Sequence, residues 1–239
     1  MLKFHAISDV GLVRHNNEDY HLVDPEYGLI IVADGAGGHA DGEIASRVAV
    51  ESCYQYLTRE DYLLDTTDTR KTLMDSIVFA NKQLIEFKQK KMPGSDMGTT
   101  LSCVCIKDRQ ASFAWMGDSR IYRLNAAEAA VAQLSVDHTL YQEMLARGEV
   151  GSSFNKHVLS RMLGSNPYAQ PDGDSQSVMY GDTLLVCSDG FSDLVPEFRI
   201  QETVAAYGDS LDDMAQVFVE LAKGQGGRDN ITVALVSLS

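Results

Sequence analysis

The sequence has few basic side chains and no long apolar run. Its 239 residues include 34 acidic and 20 basic ones, which gives a formal net charge of −14. Proteins that bind nucleic-acid backbones carry basic patches, so we expect no nucleic-acid partner. Apolar runs such as residues 29–33 are too short to cross a bilayer, and residues 1–5 lack the features of a signal peptide. We therefore expect a cytoplasmic protein without a membrane partner.

Cysteine is also scarce, with four residues in the chain. Cys103 and Cys105 are separated by a single residue, which is not the spacing of a zinc-binding pair. In a cytosolic chain without an export signal, such cysteines are expected to be reduced thiols. On an alternating strand these two would point to the same face as small buried hydrophobic residues. The sequence therefore predicts neither a disulfide framework nor a zinc site.

Short periodic segments follow one another without a repeat or a Pro/Gly-rich linker, so we expect a single domain over residues 1–239. Apolar residues recur with helical spacing over residues 43–57, 70–88 and 211–221, and Ser210 is a typical N-cap for the last. Short β-rich runs occupy residues 27–33, 99–106, 111–116, 121–124, 182–187 and 231–236. Residues 135–165 are polar and irregular, which predicts a flap subdomain at about 137–165. Helices grouped in blocks favour an α+β fold.

Four aspartates stand where an apolar strand borders a turn: Asp34, Asp118, Asp189 and Asp229. A single aspartate at a turn usually bonds nearby backbone N–H groups. Strand ends can converge in space, however, and several carboxylates in one cleft would repel each other unless a cation held them. None of the four contexts contains a His or Cys pair, and sites rich in oxygen suit Mg²⁺ or Mn²⁺. Gly35 would let its carbonyl approach closely enough to be a ligand.

Six short motifs occur in a fixed order along the chain. They are Arg14-x3-Glu18-Asp19, Val32-Ala33-Asp34-Gly35-x-Gly37-Gly38-His39, Gly98-Thr99-Thr100, Gly117-Asp118-Ser119-Arg120, Ser188-Asp189-Gly190-x2-Asp193 and Gly227-Arg228-Asp229-Asn230. Each motif is weak, but the ordered set resembles the metal-dependent Ser/Thr protein phosphatases of the protein phosphatase 2C (PPM) family, in their compact bacterial form. The resemblance extends from Ser8 to the last strand.

This resemblance implies a four-layer αββα sandwich, in which two antiparallel sheets are flanked by helix pairs and metals bind at one end. It implies two Mn²⁺ or Mg²⁺ ions and a third, weaker metal position. The substrates would be phosphoserine and phosphothreonine in proteins. The positions that match the metal ligands of the family are Glu18, Asp34, Gly35, Asp118, Asp189, Asp193 and Asp229.

The resemblance also assigns roles in hydrolysis. Asp34 would bridge two ions, which share a water, lower its pKa and aim it at phosphorus. Asp118 and Asp193 would belong to the third metal. Arg14 would hold the substrate phosphate and meet the charge that develops in the transition state, so no covalent phosphoenzyme is needed.

The proton donor for the leaving oxygen is left open. Many eukaryotic members have a histidine directly after the Asp-Gly pair and bacterial members usually have methionine, whereas this chain has Ala36. His39, three residues further on, could serve as the catalytic acid because a histidine has a suitable pKa. A metal-bound water is the alternative donor. Ala36 should leave metal binding intact.

Other patterns compete with this interpretation. Cys103 and Arg109 have the C-x5-R spacing of cysteine-dependent phosphatases. That mechanism needs a backbone anion nest ahead of a helix, whereas this segment has no glycine and alternates like a strand. Asp137-His138 and His157 could be ligands in a different metalloenzyme. Because they lie in the polar flap, we expect them to be surface or hinge residues.

Two classes of function remain after these exclusions: an active phosphatase, and a binding module of the same fold that has lost catalysis. The presence of Asp34, Asp189 and Asp229 favours the active enzyme. The resemblance implies that its partners are phosphorylated proteins, including a Hanks-type Ser/Thr kinase and its targets, with type VI secretion regulators among them. We expect the protein to be a monomer.

Overall fold

The computed structural model describes residues 1–37, 41–149 and 156–238, and its strands form two antiparallel sheets. One sheet contains, in spatial order, β1 (Leu2–Asp9), β11 (Ile231–Leu238), β10 (Asp182–Cys187), β7 (Arg120–Asn125) and β8 (Ala130–Gln133). The other contains β2 (Asp19–Asp24), β3 (Leu29–Ala36), β5 (Leu101–Lys107), β6 (Gln110–Met116) and β9 (Asp172–Ser177). The two-residue β4 (Gly98–Thr99) pairs with β3.

Helices cover the outer faces of both sheets. The long helices α1 (Asp41–Thr58) and α3 (Thr69–Lys91) pack on the sheet that contains β3, and they are linked by a 3-10 helix (Arg59–Asp61) and α2 (Tyr62–Asp65). The helices α6 (Glu197–Tyr207) and α7 (Leu211–Gly224) pack on the sheet that contains β11. The short helices α4 (Leu140–Ala146) and α5 (Asp189–Ser192) lie in connections. The predicted four-layer αββα sandwich is confirmed.

Strand β3 shows why these layers form. Leu29, Ile31 and Ala33 face the α1 and α3 helices, whereas Ile30 and Val32 face the opposite sheet. A strand covered on both faces needs a continuous apolar run rather than an alternating one. The buried apolar residues of the described chain accordingly form three clusters, one between the two sheets and one under each helix pair.

The predicted segments with clear periodicity are confirmed. The hydroxyl of Ser210 accepts a hydrogen bond from the backbone N–H of Asp213 at 3.3 Å, as expected of an N-cap. The sequence pattern did not predict β1, β2, β8, β9 or α6. Within the predicted flap, the structure has the short helix α4. The single-domain and flap boundaries stay predictions. Among the described residues, no helix combines the length and apolarity needed to cross a membrane.

One end of the sandwich gathers the chain segments that carry the six motifs. There, β2 and β11 begin, β3 and β10 end, and the turn between β6 and β7 crosses from one sheet to the other. Antiparallel pairing places Asp19 directly opposite Asp34. On the other sheet it places Ser8 opposite Thr232.

Candidate metal centre

A cleft of about 270 Å³ opens at this end of the sandwich. Its walls come from both sheets, and they include seven of the residues predicted from the sequence: Arg14, Glu18, Asp34, Gly35, Asp118, Asp189 and Asp229. Asp193 lines two adjoining cavities that share Asp189 with the cleft. His39 lies outside the described residues. Chain folding therefore brings together carboxylates that are up to about two hundred positions apart in the sequence.

The backbone of Asp34 is held by the Thr99-Thr100 pair. The Asp34 N–H donates to Thr100 Oγ1 at 2.9 Å, and the Asp34 carbonyl accepts from the Thr100 N–H at 2.9 Å and from Thr99 Oγ1 at 2.8 Å. Thr100 Oγ1 also bonds Ser119 Oγ at 2.6 Å, which ties this strand end to the turn after Asp118. Since both backbone groups of Asp34 are satisfied, its carboxylate remains available to the cleft.

Two glycines allow the backbone to close around Glu18. A Cβ atom at Gly35 would overlap the carbonyl oxygens of Gly42 and Glu18. A Cβ atom at Gly42 would lie 2.6 Å from Glu18 Oε2. The Gly35 N–H donates to the Glu18 carbonyl at 3.1 Å. Glycine is therefore required at Gly35, where a side chain would push away the backbones of Gly42 and Glu18, whereas a side chain at Gly42 would displace the Glu18 carboxylate.

Asn230 fastens the N-terminal loop to β11. Its Oδ1 accepts from the Glu18 N–H at 2.8 Å, and its Nδ2 donates to the carbonyls of Asn16 at 2.9 Å and Val10 at 3.0 Å. Sequence reasoning included Asn230 in a motif but gave it no role. Its position directly after Asp229 was the one available signal.

Asp19 is a buried carboxylate beside the cleft. Oδ2 accepts from Thr232 Oγ1 at 2.6 Å and from Ser188 Oγ at 2.7 Å, whereas Oδ1 is buried and has no hydrogen-bond partner among the residues that the structure describes. Burial, reinforced by the charges of Asp189 and Asp229, raises the pKa of Asp19 to about 7. Sequence reasoning grouped Asp19 with Glu18 but did not predict it as a ligand. An orphaned carboxylate oxygen beside the cleft is a feature that a cation would satisfy.

The cleft carboxylates disfavour each other's ionisation in the absence of a cation. Burial is the main factor that raises the pKa of Asp34 well above its ordinary value, and the charges of Asp19 and Asp189 add to it. Burial and Asp189 raise the pKa of Asp118 to about 7. Burial likewise raises the pKa of Asp189. Like charges held together at low solvent exposure behave in this way, and a divalent ion would reverse the effect.

Arg14 provides the positive charge at the mouth of the cleft. Its Nη2 donates to Asp229 Oδ2 at 2.7 Å, with both side chains partly exposed. Burial by itself would lower the pKa of Arg14, but Asp229 and the neighbouring carboxylates outweigh it and raise that pKa. The guanidinium is therefore charged, anchored at one corner and able to donate further hydrogen bonds to a ligand.

His157 belongs to the site more closely than its flap position predicted. It is exposed, as expected, but it lines the cleft, and its Nδ1 lies 3.0 Å from Asp193 Oδ2. Single donor atoms of His157, Asp189 and Asp193 lie within 4.8 Å of one another. The imidazole therefore occupies the region that the resemblance assigned to the third metal.

The prediction that Asp137 and His138 are surface or hinge residues is wrong for His138. Its side chain is buried, Nδ1 accepts from the Gly117 N–H at 3.1 Å, and Nε2 lies 3.0 Å from Asp172 Oδ2. Burial lowers the pKa of His138, which favours the neutral ring that accepts at Nδ1. Asp137 accepts three hydrogen bonds from Arg120. Polar partners, rather than a metal, account for both residues.

The structure also excludes the cysteine-phosphatase pattern. Cys103 lies inside β5 with its thiol fully buried, and Arg109 occupies the hairpin turn that follows, with a φ of 62°. Burial raises the pKa of the Cys103 thiol well above its ordinary value. A buried, protonated thiol in a strand cannot act as the nucleophile that this chemistry requires.

The donor set fits a hard divalent cation. Carboxylates and one backbone carbonyl converge in the cleft, and the neighbouring aspartates have raised pKa values. One buried carboxylate oxygen has no partner within the described part of the chain. Oxygen donors without thiolates are typical of Mg²⁺ and Mn²⁺ sites. With Arg14 beside them, such ions and the guanidinium could bind and polarise a phosphoryl group.

Comparisons with known proteins agree with this chemistry. The family model for protein phosphatase 2C matches residues 13–223. The chain is 35% identical to the serine/threonine phosphatase Stp of Listeria monocytogenes, over 96% of this chain and 93% of that protein. The structure is similar to the catalytic domain of the serine/threonine protein phosphatase PstP in complex with two manganese ions (TM-score 0.83, 29% identity, 99% and 97% coverage). It is also similar to PppA, a regulatory component of type VI secretion in Pseudomonas aeruginosa (TM-score 0.81, 28% identity, 99% and 97% coverage).

Proposed function

The chain belongs to the protein phosphatase 2C family, and from that premise we propose which of its residues hydrolyse phosphoserine and phosphothreonine in proteins. It is a metal-dependent serine/threonine protein phosphatase. The residue assignment rests on one observation. Asp34 from one sheet lies in the same cleft as Asp189 and Asp229 from the other sheet, beside Arg14. No described feature favours the alternative of a binding module without catalysis.

The proposed ligands of two Mn²⁺ or Mg²⁺ ions are Glu18, Asp34, the Gly35 carbonyl, Asp189 and Asp229. Asp118 and Asp193 are the proposed ligands of a third ion. Two such ions, when bound, would lower the pKa of a water and so supply a nucleophile for phosphorus. The protein's part is to fix the carboxylates, and the Thr99-Thr100 bonds to the Asp34 backbone do this directly.

Arg14 is the proposed phosphate-binding residue. Its bond to Asp229 positions the guanidinium at the mouth of the cleft, where its remaining N–H donors can bind two phosphoryl oxygens. As the transition state forms, charge on the equatorial oxygens increases, and a fixed guanidinium stabilises it without reorganisation.

His39 is the proposed proton donor to the leaving oxygen. Ala36, which lines the cleft, has no titratable group, so the proton must come from elsewhere. A seryl or threonyl oxygen needs that proton, whereas p-nitrophenolate leaves without it. His39→Gln should therefore lower kcat for a phosphothreonine peptide far more than for p-nitrophenyl phosphate. Equal losses on both substrates would contradict this role and favour a water donor.

The proposed physiological substrates are phosphoproteins made by a Hanks-type Ser/Thr kinase, including the kinase itself. The similarity to PppA supports regulators of type VI secretion as candidates. We propose that the protein acts as a monomer in the cytoplasm, where its four free cysteines stay reduced. Incubation with the autophosphorylated kinase, with and without Mn²⁺, tests the partnership, and light scattering tests the oligomeric state.

The central experiment measures hydrolysis of p-nitrophenyl phosphate and of a phosphothreonine peptide with added Mn²⁺ or Mg²⁺. We expect no turnover after exhaustive chelation and full recovery when metal is restored. Asp229→Asn should nearly abolish turnover at every metal concentration, because it removes a charged ligand. Activity that survives chelation would contradict the proposal, and binding of the phosphopeptide without turnover would identify a binding module.

A further inference from the structure

A second cavity, of about 370 Å³, adjoins the carboxylate cleft. The two share Arg14, His157, Asp189 and Asp229, so a substrate phosphate bound at Arg14 would border both. The residues that line the second cavity but not the cleft are Gly190, Asp193, Leu194 and Arg228. A peptide chain continuing past its phosphorylated residue has this cavity beside it.

Arg228 lines this cavity without an ion-pair partner among the described residues. Arg14 pairs with Asp229, and His157 pairs with Asp193. Within residues 1–37, 41–149 and 156–238, the exposed guanidinium of Arg228 forms no salt bridge. Its five N–H donors are therefore available to a ligand.

The backbone around Arg228 is held in place on both sides. On one side, the Gly227 carbonyl accepts from the Leu12 N–H at 2.8 Å, which attaches the turn to the loop that carries Arg14. On the other side, Asn230 bonds three backbone groups of the same N-terminal segment. The Arg228 side chain consequently projects from a fixed point close to the phosphate site, and little backbone ordering would accompany binding.

The charge of the cavity under working conditions favours an anionic group. Asp189, Asp193 and Asp229 are all proposed metal ligands, so bound cations would neutralise them, and Asp193 also lies 3.0 Å from His157 Nδ1. Arg228 then gives this side of the site a positive potential. A guanidinium binds a carboxylate through two parallel hydrogen bonds, which also fixes its orientation.

We propose that Arg228 is a specificity-determining residue that binds a carboxylate side chain located one or two positions from the phosphorylated residue of the substrate. An extended peptide advances about 3.3 Å per residue, so such a neighbour falls within a cavity of this size. The inference rests on the proposed function, since it takes Arg14 as the phosphate site. It defines the substrate class as phosphopeptides with an adjacent Asp or Glu.

The test compares three phosphothreonine peptides that differ at the flanking positions, with Glu, Gln or Lys, and uses p-nitrophenyl phosphate as a substrate without flanks. With Mn²⁺ and low salt, the wild type should favour the Glu peptide over the Gln peptide about fivefold in kcat/KM, mainly through KM, as a partly exposed ion pair allows. The preference should shrink as salt screens the pair.

Substitutions assign the preference to Arg228. Arg228→Gln should abolish the discrimination between the Glu and Gln peptides, Arg228→Lys should retain part of it, and Arg228→Glu should reverse it in favour of the Lys peptide. Arg199→Gln is the matched control, because Arg199 is exposed on α6 and pairs with Glu202. That variant should keep the wild-type order.

Two results would overturn the inference while leaving the phosphatase assignment intact. One is a wild type that hydrolyses p-nitrophenyl phosphate but treats the Glu and Gln peptides alike. The other is an Arg228→Gln variant that loses the same factor on every substrate, which would mean that Arg228 acts through the metal ligand Asp229. A wild type that fails to hydrolyse p-nitrophenyl phosphate with metal would contradict the proposed function, and this inference with it.

Discussion

The side-chain oxygen of Asn230 accepts a hydrogen bond from the backbone N–H of Glu18 at 2.8 Å, across 212 positions of sequence. The same amide group donates to the Asn16 and Val10 carbonyls. One side chain thus satisfies three backbone groups of the loop that carries Arg14 and Glu18. The position of two proposed site residues depends on a third residue that touches neither metal nor substrate.

Asn230→Asp should weaken this loop more than Asn230→Ala. A carboxylate would place an oxygen against the two carbonyls that now receive N–H donors, whereas alanine only removes the bonds. We expect a loss of about 1–3 kcal/mol in the free energy of unfolding for the aspartate variant. Urea denaturation measures the loss, and calorimetric titration with Mn²⁺ should show weaker binding. Equal stability of the two variants would contradict the electrostatic argument.

Asp34→Asn should stabilise the protein without metal and remove its stabilisation by metal. Asp34 is crowded by Asp19, Asp189 and Asp118, so loss of its charge relieves repulsion. A relief of about 1 kcal/mol corresponds to a rise of about 2–4 °C in Tm for a chain of this size. Thermal unfolding in chelator and in Mn²⁺ tests both parts. A variant less stable than the wild type in chelator would show that Asp34 contributes mainly to packing.

Arg14→Ala should raise KM for p-nitrophenyl phosphate about tenfold and lower kcat by less. Loss of charge-assisted hydrogen bonds to a ground-state phosphate affects binding before chemistry. Arg199→Ala serves as the control for loss of an exposed guanidinium. A fall in kcat that exceeds the rise in KM would instead show that Arg14 acts mainly in the transition state.

The buried Asp182 should make stability depend on acid. Burial alone would raise its pKa, but hydrogen bonds from the Met179 N–H, Asn125 and Arg123 outweigh it, so the pKa of Asp182 is lowered. Its contribution to stability is therefore present above the unfolded pKa of about 4 and is lost as pH falls through the folded pKa.

Asp182→Asn should accordingly cost about 1–2 kcal/mol of unfolding free energy at pH 7, and the difference from the wild type should shrink at pH 3. Urea denaturation at both pH values measures this. Asp212→Asn, at a highly exposed side chain, is the control and should differ little from the wild type at either pH. A difference that is independent of pH would contradict the titration argument.

Cys103→Ser should leave kcat unchanged and lower stability by about 1 kcal/mol, because it places a hydroxyl in an apolar core. Iodoacetamide should not inactivate the native enzyme, since the thiol is buried and protonated. Rapid inactivation by the reagent, or a large loss of kcat in the variant, would revive a cysteine mechanism.

The parts of the fold that could be predicted from the sequence are those in which apolar residues recur with a helical or strand period, because one face is buried. Helix α7 and strand β10 follow their patterns because one face or both faces meet the core. Strand β9 has the sequence Asp-Gly-Asp-Ser-Gln-Ser and pairs with β6 at the edge of the sheet, so pairing rather than side-chain pattern forms it. No local pattern could reveal it.

The candidate site likewise contains some residues that could be predicted from the sequence and others that could not. Asp34 and Asp189 stand at strand ends next to turn glycines, which the sequence displays. The role of Asn230 depends on a contact with Glu18 across 212 positions, and the position of His157 at the cleft depends on its contact with Asp193. Burial of His138 follows from its bonds to Gly117 and Asp172, which come together only in the folded protein.

The proposed ligands come from both halves of the sandwich, with Asp34 on one sheet and Asp189 and Asp229 at the ends of strands in the other. A state in which the two sheets have separated would therefore hold an incomplete set of donors and bind the cation weakly. By mass action, free cation then favours the closed sandwich over every opened state. Cellular metal supply would thus govern the abundance of this phosphatase as well as its turnover, because metal starvation would leave more molecules in opened states accessible to proteases.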